Sequence, residues 1–245
     1  MSNRGMANMM FLFSFFTSVE TSYKSVERLY SDPLVRMALH NLHMIILRTT
    51  ITHEIDATGD ATGYTLTIKE HYASHVQRYK DRSKESSGTA KFVYSFKIMD
   101  LQSNLYIAYG VGIRSEKEAY RNAIRFLVST NPSLRIRSLR LDRYYSNQST
   151  VEELERLLGD DIRIYILPKK NSTMRGCKKW QESMDMFVRD TQGYLKEYFS
   201  RVQSENAFSQ DKRRFGWKIR LKREERIDTH DLCTMLWHNL LWMAQ

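Results

Sequence analysis

Two kinds of apolar spacing alternate along the chain, and their order restricts the fold more than any other feature. Apolar residues two apart over 92–98 and 105–109 predict two strands joined as a hairpin. Helical spacing over 115–129 follows, with Ser115 and Glu118 placed as a capping box. In chain order, the patterns predict a helix over 20–50 that Asp32-Pro33 interrupts, a strand over 51–58, a polar loop over 60–90, and then that hairpin and that helix. A strand over 135–142, a helix over 149–158, a strand over 162–166 and helices from 174 onward follow.

Antiparallel strands therefore come first and strand–helix–strand connections come later, which predicts a single α/β system. The order alone leaves several folds open. The 245 residues are enough to bury a large core without disulfides or metal ions. The two cysteines, Cys177 and Cys233, belong to no CxxC pair, which argues against a thiolate zinc site and fits a reducing cytosol.

Positive charge is concentrated in one part of the sequence. The 38 Lys and Arg against 28 Asp and Glu give a net charge of +10. Between Lys169 and Arg226 there are 16 basic and 8 acidic residues, a net of +8, which leaves +2 for the other 187 residues. A local positive field of this kind favours a polyanion or an anionic membrane as partner.

The most apolar stretch is MANMMFLFSFFTS near the N-terminus. It is shorter than the roughly 20 residues that a membrane helix needs, and no later stretch reaches 18 apolar residues. We therefore expect no membrane partner, and we interpret the stretch as a buried helix or as the remnant of a longer N-terminal region.

Two aspartates stand at predicted strand ends. Asp56 closes the first strand and Asp142 closes the strand that follows the 115–129 helix. If these strands are neighbours, the two carboxylates lie side by side, which raises the pKa of one of them unless a cation relieves the repulsion. Mg²⁺ and Mn²⁺ favour such oxygen ligands. The alternative is that each aspartate only caps the loop after its strand.

A third acid comes with a set of polar residues at helical spacing. Tyr198, Arg201, Glu205 and Lys212 are separated by 3, 4 and 7 residues, so on one helix they fall within an arc of about 60°. On this interpretation, Glu205 completes the metal site, Arg201 and Lys212 hold phosphate oxygens, and Tyr198 donates a hydrogen bond. The alternative is an Arg201–Glu205 ion pair on a solvated helix face.

Three sequence blocks resemble insertion-sequence transposases of the DDE type: HEIDATG around Asp56, LRLDRYYS around Asp142, and YFSRVQSENAFSQDKRRFG around Glu205. The last block matches the Y-(2)-R-(3)-E-(6)-K signature of that family at every position. In the second block, Tyr144 replaces the usual glycine of D-x-G-Y and Tyr145 is kept. The resemblance implies an α/β, RNase H-like (retroviral integrase-like) mixed sheet flanked by helices, with a helical N-terminal segment over 1–50 and a catalytic domain over 51–245.

The same resemblance implies a reaction. Asp56, Asp142 and Glu205 would bind two Mg²⁺ ions, with Mn²⁺ as a substitute, to cleave the element's ends and transfer the 3′-hydroxyl into target DNA. The implied partners are the double-stranded DNA of the ends and target and a second copy of the chain in a homodimer, in the cytoplasm at a prokaryotic nucleoid. Such transposases carry a longer N-terminal region that reads terminal repeats, so the 55 residues before Asp56 indicate a truncated or compact copy.

Further DNA contacts are expected from the basic segment. Arg213, Arg214 and Lys218 extend the positive surface beyond Lys212 as contacts to the DNA backbone, unless they form only a solvated basic face. Trp180 lies among basic residues and is interpreted either as a platform for an unpaired base or as a core side chain. The other tryptophans, Trp217, Trp237 and Trp242, follow apolar helical patterns and are assigned to the core.

Two rival functions stay open from the sequence. One is a metal-dependent nuclease of the same fold, which cuts DNA without joining it. The other is a transposase remnant that binds DNA and no longer reacts. An RNA-binding module is disfavoured because the chain contains no RNP, KH or GXXG pattern.

Overall fold

A computed structural model describes residues 10–11, 13–66, 92–130, 134–221 and 223–244. The strands are β1 (Ile55–Leu66), β2 (Phe92–Asp100), β3 (Tyr106–Gly112), β4 (Ile136–Leu141), β5 (Arg163–Tyr165) and β6 (Lys218–Ile219). The helices are α1 (Tyr23–Leu29), α2 (Pro33–Thr50), α3 (Glu116–Thr130), α4 (Gln148–Leu158), α5 (Lys178–Arg189), α6 (Thr191–Phe199), α7 (Val202–Phe215) and α8 (Glu224–Met243), with a 3₁₀ turn at Arg143–Tyr145.

The six strands form one mixed sheet. Its order is β3-β2-β1-β4-β5, and β6 pairs with the far end of β1. Strand β2 pairs antiparallel with both β1 and β3, whereas β4 and β6 pair with β1 in parallel and β5 pairs with β4 in parallel. This α/β arrangement, a mixed sheet flanked by helices, is compatible with an RNase H-like fold.

The two faces of the sheet carry different layers. One face packs against α3, α4 and α5 through a core that includes Phe96, Ile98, Leu139 and Leu141. On the other face, α7 and α8 pack over a second core that includes Met99. Since neighbouring residues of a strand point to opposite faces, Asp60 and Tyr64 of β1 share the second face, as do Arg140 of β4 and the position of Asp142 after it.

A buried charged cluster joins this second face to the two C-terminal helices. Lys97 of β2 lies 3.6 Å from Asp211 of α7 and 3.5 Å from Asp231 of α8. Asp211 also accepts hydrogen bonds from Tyr106, at 3.0 Å, and binds the His238 ring at 2.9 Å. Lys97, Asp211 and His238 are fully buried. Ion pairs therefore accompany the apolar contacts where α7 meets the sheet.

The local patterns of the middle of the chain are confirmed. The hairpin, the helix capped by Ser115 and the strand before Asp142 stand where the sequence predicted them, and the Glu118 amide donates to the Ser115 hydroxyl. The helix predicted from Ser149 is instead capped by Asn147, whose side chain accepts from the Thr150 amide. The interruption predicted at Asp32-Pro33 is also confirmed, because the first helix ends at Leu29 and Asp32 caps the next one.

The first predicted strand was placed too early. The predicted span 51–58 ends inside β1, which the structure extends from Ile55 to Leu66. The predicted loop over 60–90 therefore begins as strand, and its remaining part, 67–90, lies outside the described residues. The N-terminal phenylalanines Phe11, Phe13, Phe15 and Phe16 are exposed, which contradicts the predicted buried helix. Within the described parts of the chain, no helix is long and apolar enough to cross a membrane.

Candidate active site

The parallel pairing of β1 with β4 brings two aspartates together. Gly59 is in register with Leu141, so the next residues on each strand, Asp60 and Asp142, lie at the same level of the sheet. Both belong to the face that carries α7. The predicted partner of Asp142 was Asp56, which stands four residues earlier, about 13 Å back along the strand.

An opening in the sheet lies beside Asp60. On that edge of β1, β4 pairs only as far as Gly59, and β6 begins to pair at Thr65. Between these points, none of the described strands covers β1 on that side. The stretch from Asp60 to Tyr64 therefore borders a gap between two strands, and in α/β sheets the ligands bind in such gaps at strand ends.

Arg201 occupies the centre of the site. Its guanidinium lies 2.7 Å from the Glu205 carboxylate, 3.2 Å from that of Asp142 and 3.8 Å from that of Asp60. The side chain is largely buried, and its Nη1 has no hydrogen-bond partner among the described atoms. The structure therefore gathers one arginine and three acids from α7, β1 and the end of β4.

Two helices, and not the single predicted one, position these groups. Helix α6 ends at Phe199 and α7 begins at Val202, with Ser200 and Arg201 between them. Arg201 is the N-cap of α7, and Glu205 lies in its first turn, where the helix dipole favours a carboxylate. The Arg201–Glu205 ion pair is present, as the alternative interpretation proposed, but it faces the other two acids.

Tyr198 does not lie on the surface. Its side chain is 3% exposed and packs with Tyr165 and Tyr194. The Arg201 guanidinium lies 5.6 Å from the centre of the Tyr198 ring, so the tyrosine supports the arginine. The prediction that Tyr198 donates directly to DNA is therefore corrected. Burial raises the pKa of its phenol.

Asp56 belongs to a different cluster. It accepts hydrogen bonds from Ser138 and from Arg137, and Arg140 lies 3.8 Å away. Partial burial opposes ionisation, yet the bonds from Arg137 and Ser138 lower the pKa of Asp56. The structure thus separates Asp56 from the acids near Arg201. Asp60 lies at the position that was predicted for Asp56.

The sequence did contain a signal for Asp60. The tetrapeptide Asp-Ala-Thr-Gly occurs twice in succession, at 56–59 and 60–63. The predicted strand ends at Thr58 and therefore includes only the first aspartate, Asp56. Both aspartates point to the same face of β1, so alternation does not distinguish them. The position at which β4 ends distinguishes them, because it brings Asp142 level with Asp60.

The charges of the site favour a bound cation. Burial raises the pKa of Asp60 to about 6, Glu205 and Asp142 act in the same direction, and Arg201 opposes them. Because the acids surround a guanidinium, no group of three or more acidic, histidine or cysteine side chains among the described residues is arranged to hold a metal ion. Three carboxylates are nevertheless a donor set that fits Mg²⁺ or Mn²⁺.

Lys212 lies further along α7, on the side of the helix that carries Glu205. Its ammonium lies 5.2 Å from the centre of the Tyr64 ring and 5.1 Å from that of Trp217. Burial lowers the pKa of this lysine. Beyond it, Arg213, Arg214 and Lys218 are exposed, as expected for residues that contact a polyanion.

The structure decides between the two interpretations of Trp180 and corrects the core assignment of Trp217 and Trp237. Trp180 is 3% exposed, belongs to the core and donates to the Thr173 carbonyl at 2.8 Å, so no base can stack on it. Trp217 and Trp237, which were assigned to the core, are 58% and 57% exposed. Trp242 is half-buried against the second core.

Comparison with known proteins shows the family of the chain. No protein-family model and no solved structure matches the chain. Over 239 residues, the chain is 39% identical to the probable transposase for insertion sequence element ISA1214 of Archaeoglobus fulgidus, a match that covers 98% of this chain and 69% of that relative. The chain therefore belongs to the insertion-sequence transposases.

Proposed function

We propose that the chain is a DNA transposase of the DDE type with an RNase H-like catalytic domain, and that its acids are Asp60, Asp142 and Glu205. The observation that carries this proposal is the convergence of these three carboxylates on Arg201, at the opening between β4 and β6. The antiparallel β3-β2-β1 strands followed by parallel β4 and β5 support the fold assignment. The relative's name supports the substrate, the DNA of an insertion sequence.

The metal ion implied by this chemistry fits the acids. Asp60, Asp142 and Glu205 would hold Mg²⁺ or Mn²⁺, which when bound activates the attacking oxygen and stabilises the leaving one. Arg201 offsets one of the three negative charges as an internal cation. On metal binding, its guanidinium is free to bind a phosphate oxygen, a geometry that arginine favours.

The other residues of the signature act on the DNA backbone. Lys212 lies along α7 from Glu205 and would hold a phosphate beside the reacting one. Arg213, Arg214 and Lys218 continue this positive surface and would position the DNA without reading its sequence. Tyr198 would orient Arg201 through the contact between its ring and the guanidinium. Cleavage at the element's ends and transfer of the 3′-hydroxyl would use the same acids, with two copies of the chain bridging the two ends.

The test is a joining reaction. The protein is incubated with Mg²⁺, a labelled duplex that carries the element's end, and a plasmid target. A transposase gives labelled plasmid; the nuclease alternative gives cleaved duplex alone; a DNA-binding remnant gives neither. Glu205→Gln should lower the rate of joining by several orders of magnitude, because it removes a ligand charge. Joining by Glu205→Gln at the wild-type rate would disprove the assignment.

A further inference from the structure

Trp217 is held at the surface by the backbone around it. It stands between α7 and β6, directly after Gly216, whose φ of 99° lets the chain turn. Its carbonyl accepts a hydrogen bond from the Thr65 amide at 3.4 Å, which ties this turn to the end of β1. More than half of the side chain is exposed. A large aromatic side chain on a fixed backbone offers solvent a rigid apolar face.

The charges around Trp217 favour a polyanion. Lys212 lies 5.1 Å from the centre of the indole ring. Between Lys212 and Arg223, the sequence has seven basic residues and no acidic one. The acid just before this stretch, Asp211, is fully buried with Lys97 and His238. An acidic or apolar protein partner gains less from this surface than a nucleic acid does.

The distance to the acids is set by two elements that run side by side. Along β1, Asp60 to Tyr64 spans four residues, about 13 Å. Along α7, Glu205 to Lys212 spans seven residues, about 10 Å. Lys212 contacts both Tyr64 and Trp217, so the indole lies roughly 10–15 Å from the acids. At the advance of about 3.4 Å per nucleotide in a stacked duplex strand, this distance corresponds to about three or four nucleotides.

We propose that Trp217 is the stacking platform for an unpaired base, about three or four nucleotides from the phosphodiester that the acids hold. The inference rests on the proposed function, since that function makes DNA the ligand. Stacking on an indole requires a base whose face is free, and within a duplex both faces are covered by neighbouring bases. Trp217 therefore favours DNA that is frayed, flipped out or single-stranded at this position.

The experiment compares Trp217 with the equally exposed Trp237 of α8. Binding of fluorescein-labelled oligothymidylate and of a blunt duplex of equal length is measured by anisotropy in EDTA, so that no reaction intervenes. We expect Trp217→Ala to weaken binding of oligothymidylate roughly 5- to 100-fold and binding of the duplex less than twofold. Trp217→Phe should retain most of the affinity, and Trp237→Ala should match the wild type.

A second readout uses the tryptophan emission. Stacking should quench Trp217 when oligothymidylate is added, and this quenching should disappear in Trp217→Phe and persist in Trp237→Phe. Circular dichroism shows whether the variants are folded. Equal loss of affinity for the oligonucleotide and the duplex, or no loss for either, overturns the inference, as does a change of oligomeric state by Trp217→Ala without DNA.

Failure of the proposed function is seen separately. If the acids catalyse no joining in Mg²⁺ while oligothymidylate still quenches Trp217, the result supports base stacking on Trp217 and contradicts the proposed transposase reaction. If joining occurs and neither binding nor quenching depends on Trp217, the result supports the proposed transposase reaction and contradicts base stacking on Trp217.

Discussion

Arg201 determines the electrostatics of the site at the scale of single residues. Among the described residues, it is the one group that forms ion pairs with Asp60, Asp142 and Glu205 together, and it lies between α6 and α7. Three carboxylates this close repel each other, and a central cation removes most of that cost. The site therefore has a stable arrangement around an internal cation and a donor set that suits an added one.

Substituting each aspartate of the repeated tetrapeptide separates the two assignments. Asp60→Asn should abolish Mg²⁺-dependent joining, because it removes a carboxylate that faces Glu205. Asp56→Asn is the matched control, and it should keep joining within about tenfold, because its partners are Arg137, Ser138 and Arg140. The reverse pattern would restore Asp56 to the site.

The pKa of Asp60 gives a pH dependence of stability. Burial raises this pKa from 3.8 to about 6. The folded carboxyl binds its proton more tightly than the unfolded one, so its contribution to stability is full below about pH 4 and is lost as pH rises through 6. Between pH 4 and 7, the wild type should lose about 2–3 kcal/mol of unfolding free energy relative to Asp60→Asn.

Urea unfolding at each pH measures this difference. Addition of Mg²⁺ at pH 7 should return part of the lost stability to the wild type and none to Asp60→Asn, because a bound cation stabilises the folded state. Parallel pH profiles for the two proteins would show that the Asp60 carboxyl titrates normally.

At the scale of elements, the close approach of α3 to β3 fixes one side of the sheet. A Cβ at Gly110 would lie 2.2 Å from the Ala123 nitrogen and 2.3 Å from the Ala119 oxygen. Both atoms belong to the helix backbone, so no rotamer change relieves the contact. Glycine at this position lets the helix lie directly on the strand.

Gly110→Ala should therefore destabilise the protein by about 2–3 kcal/mol, because α3 must move away from β3. Thermal unfolding should show a Tm lower by roughly 5–10 °C. Gly63→Ala on β1 is the control, since its Cβ would meet only a Phe92 ring carbon at 3.9 Å, and its Tm should stay near that of the wild type. Equal Tm values for the two variants would contradict this packing.

The same scale shows why some elements could be predicted and others could not. The hairpin over Phe92–Gly112 follows from alternation within each strand, and the helix from Glu116 from its cap and apolar stripe. The end of β1 does not follow from local spacing, because the strand continues where it finds partners, first β4 and then β6. The break at Ser200–Arg201 was missed because 3.6-residue spacing carries across it.

At the scale of the whole molecule, the buried cluster around Lys97 connects the sheet to the helices that complete the site. Asp211 belongs to α7, six residues after Glu205, and Asp231 belongs to α8. Buried ions are costly to desolvate, but breaking one pair is costlier, since it leaves unpaired charges in the interior. The cluster therefore specifies how α7 and α8 lie on the sheet.

Lys97→Met should destabilise the protein by about 3–5 kcal/mol, because two buried carboxylates lose their cation. Adding Asp211→Asn and Asp231→Asn to Lys97→Met should recover part of this loss, since those changes remove the unpaired charges. Urea unfolding of the variants measures both effects. Lys178→Met, at an exposed position of α5, is the control and should change stability by less than about 1 kcal/mol.

The sequence by itself determined the α/β class, the hairpin, the concentrated positive charge and the set of Arg201, Glu205 and Lys212. Each of these depends on the pattern of residues that are close together in the chain. Only the tertiary structure decided that Asp60 and not Asp56 faces Asp142, and that Trp217 and not Trp180 is exposed. These outcomes depend on strand register and helix packing. Both arise from contacts between distant segments, which local spacing does not specify.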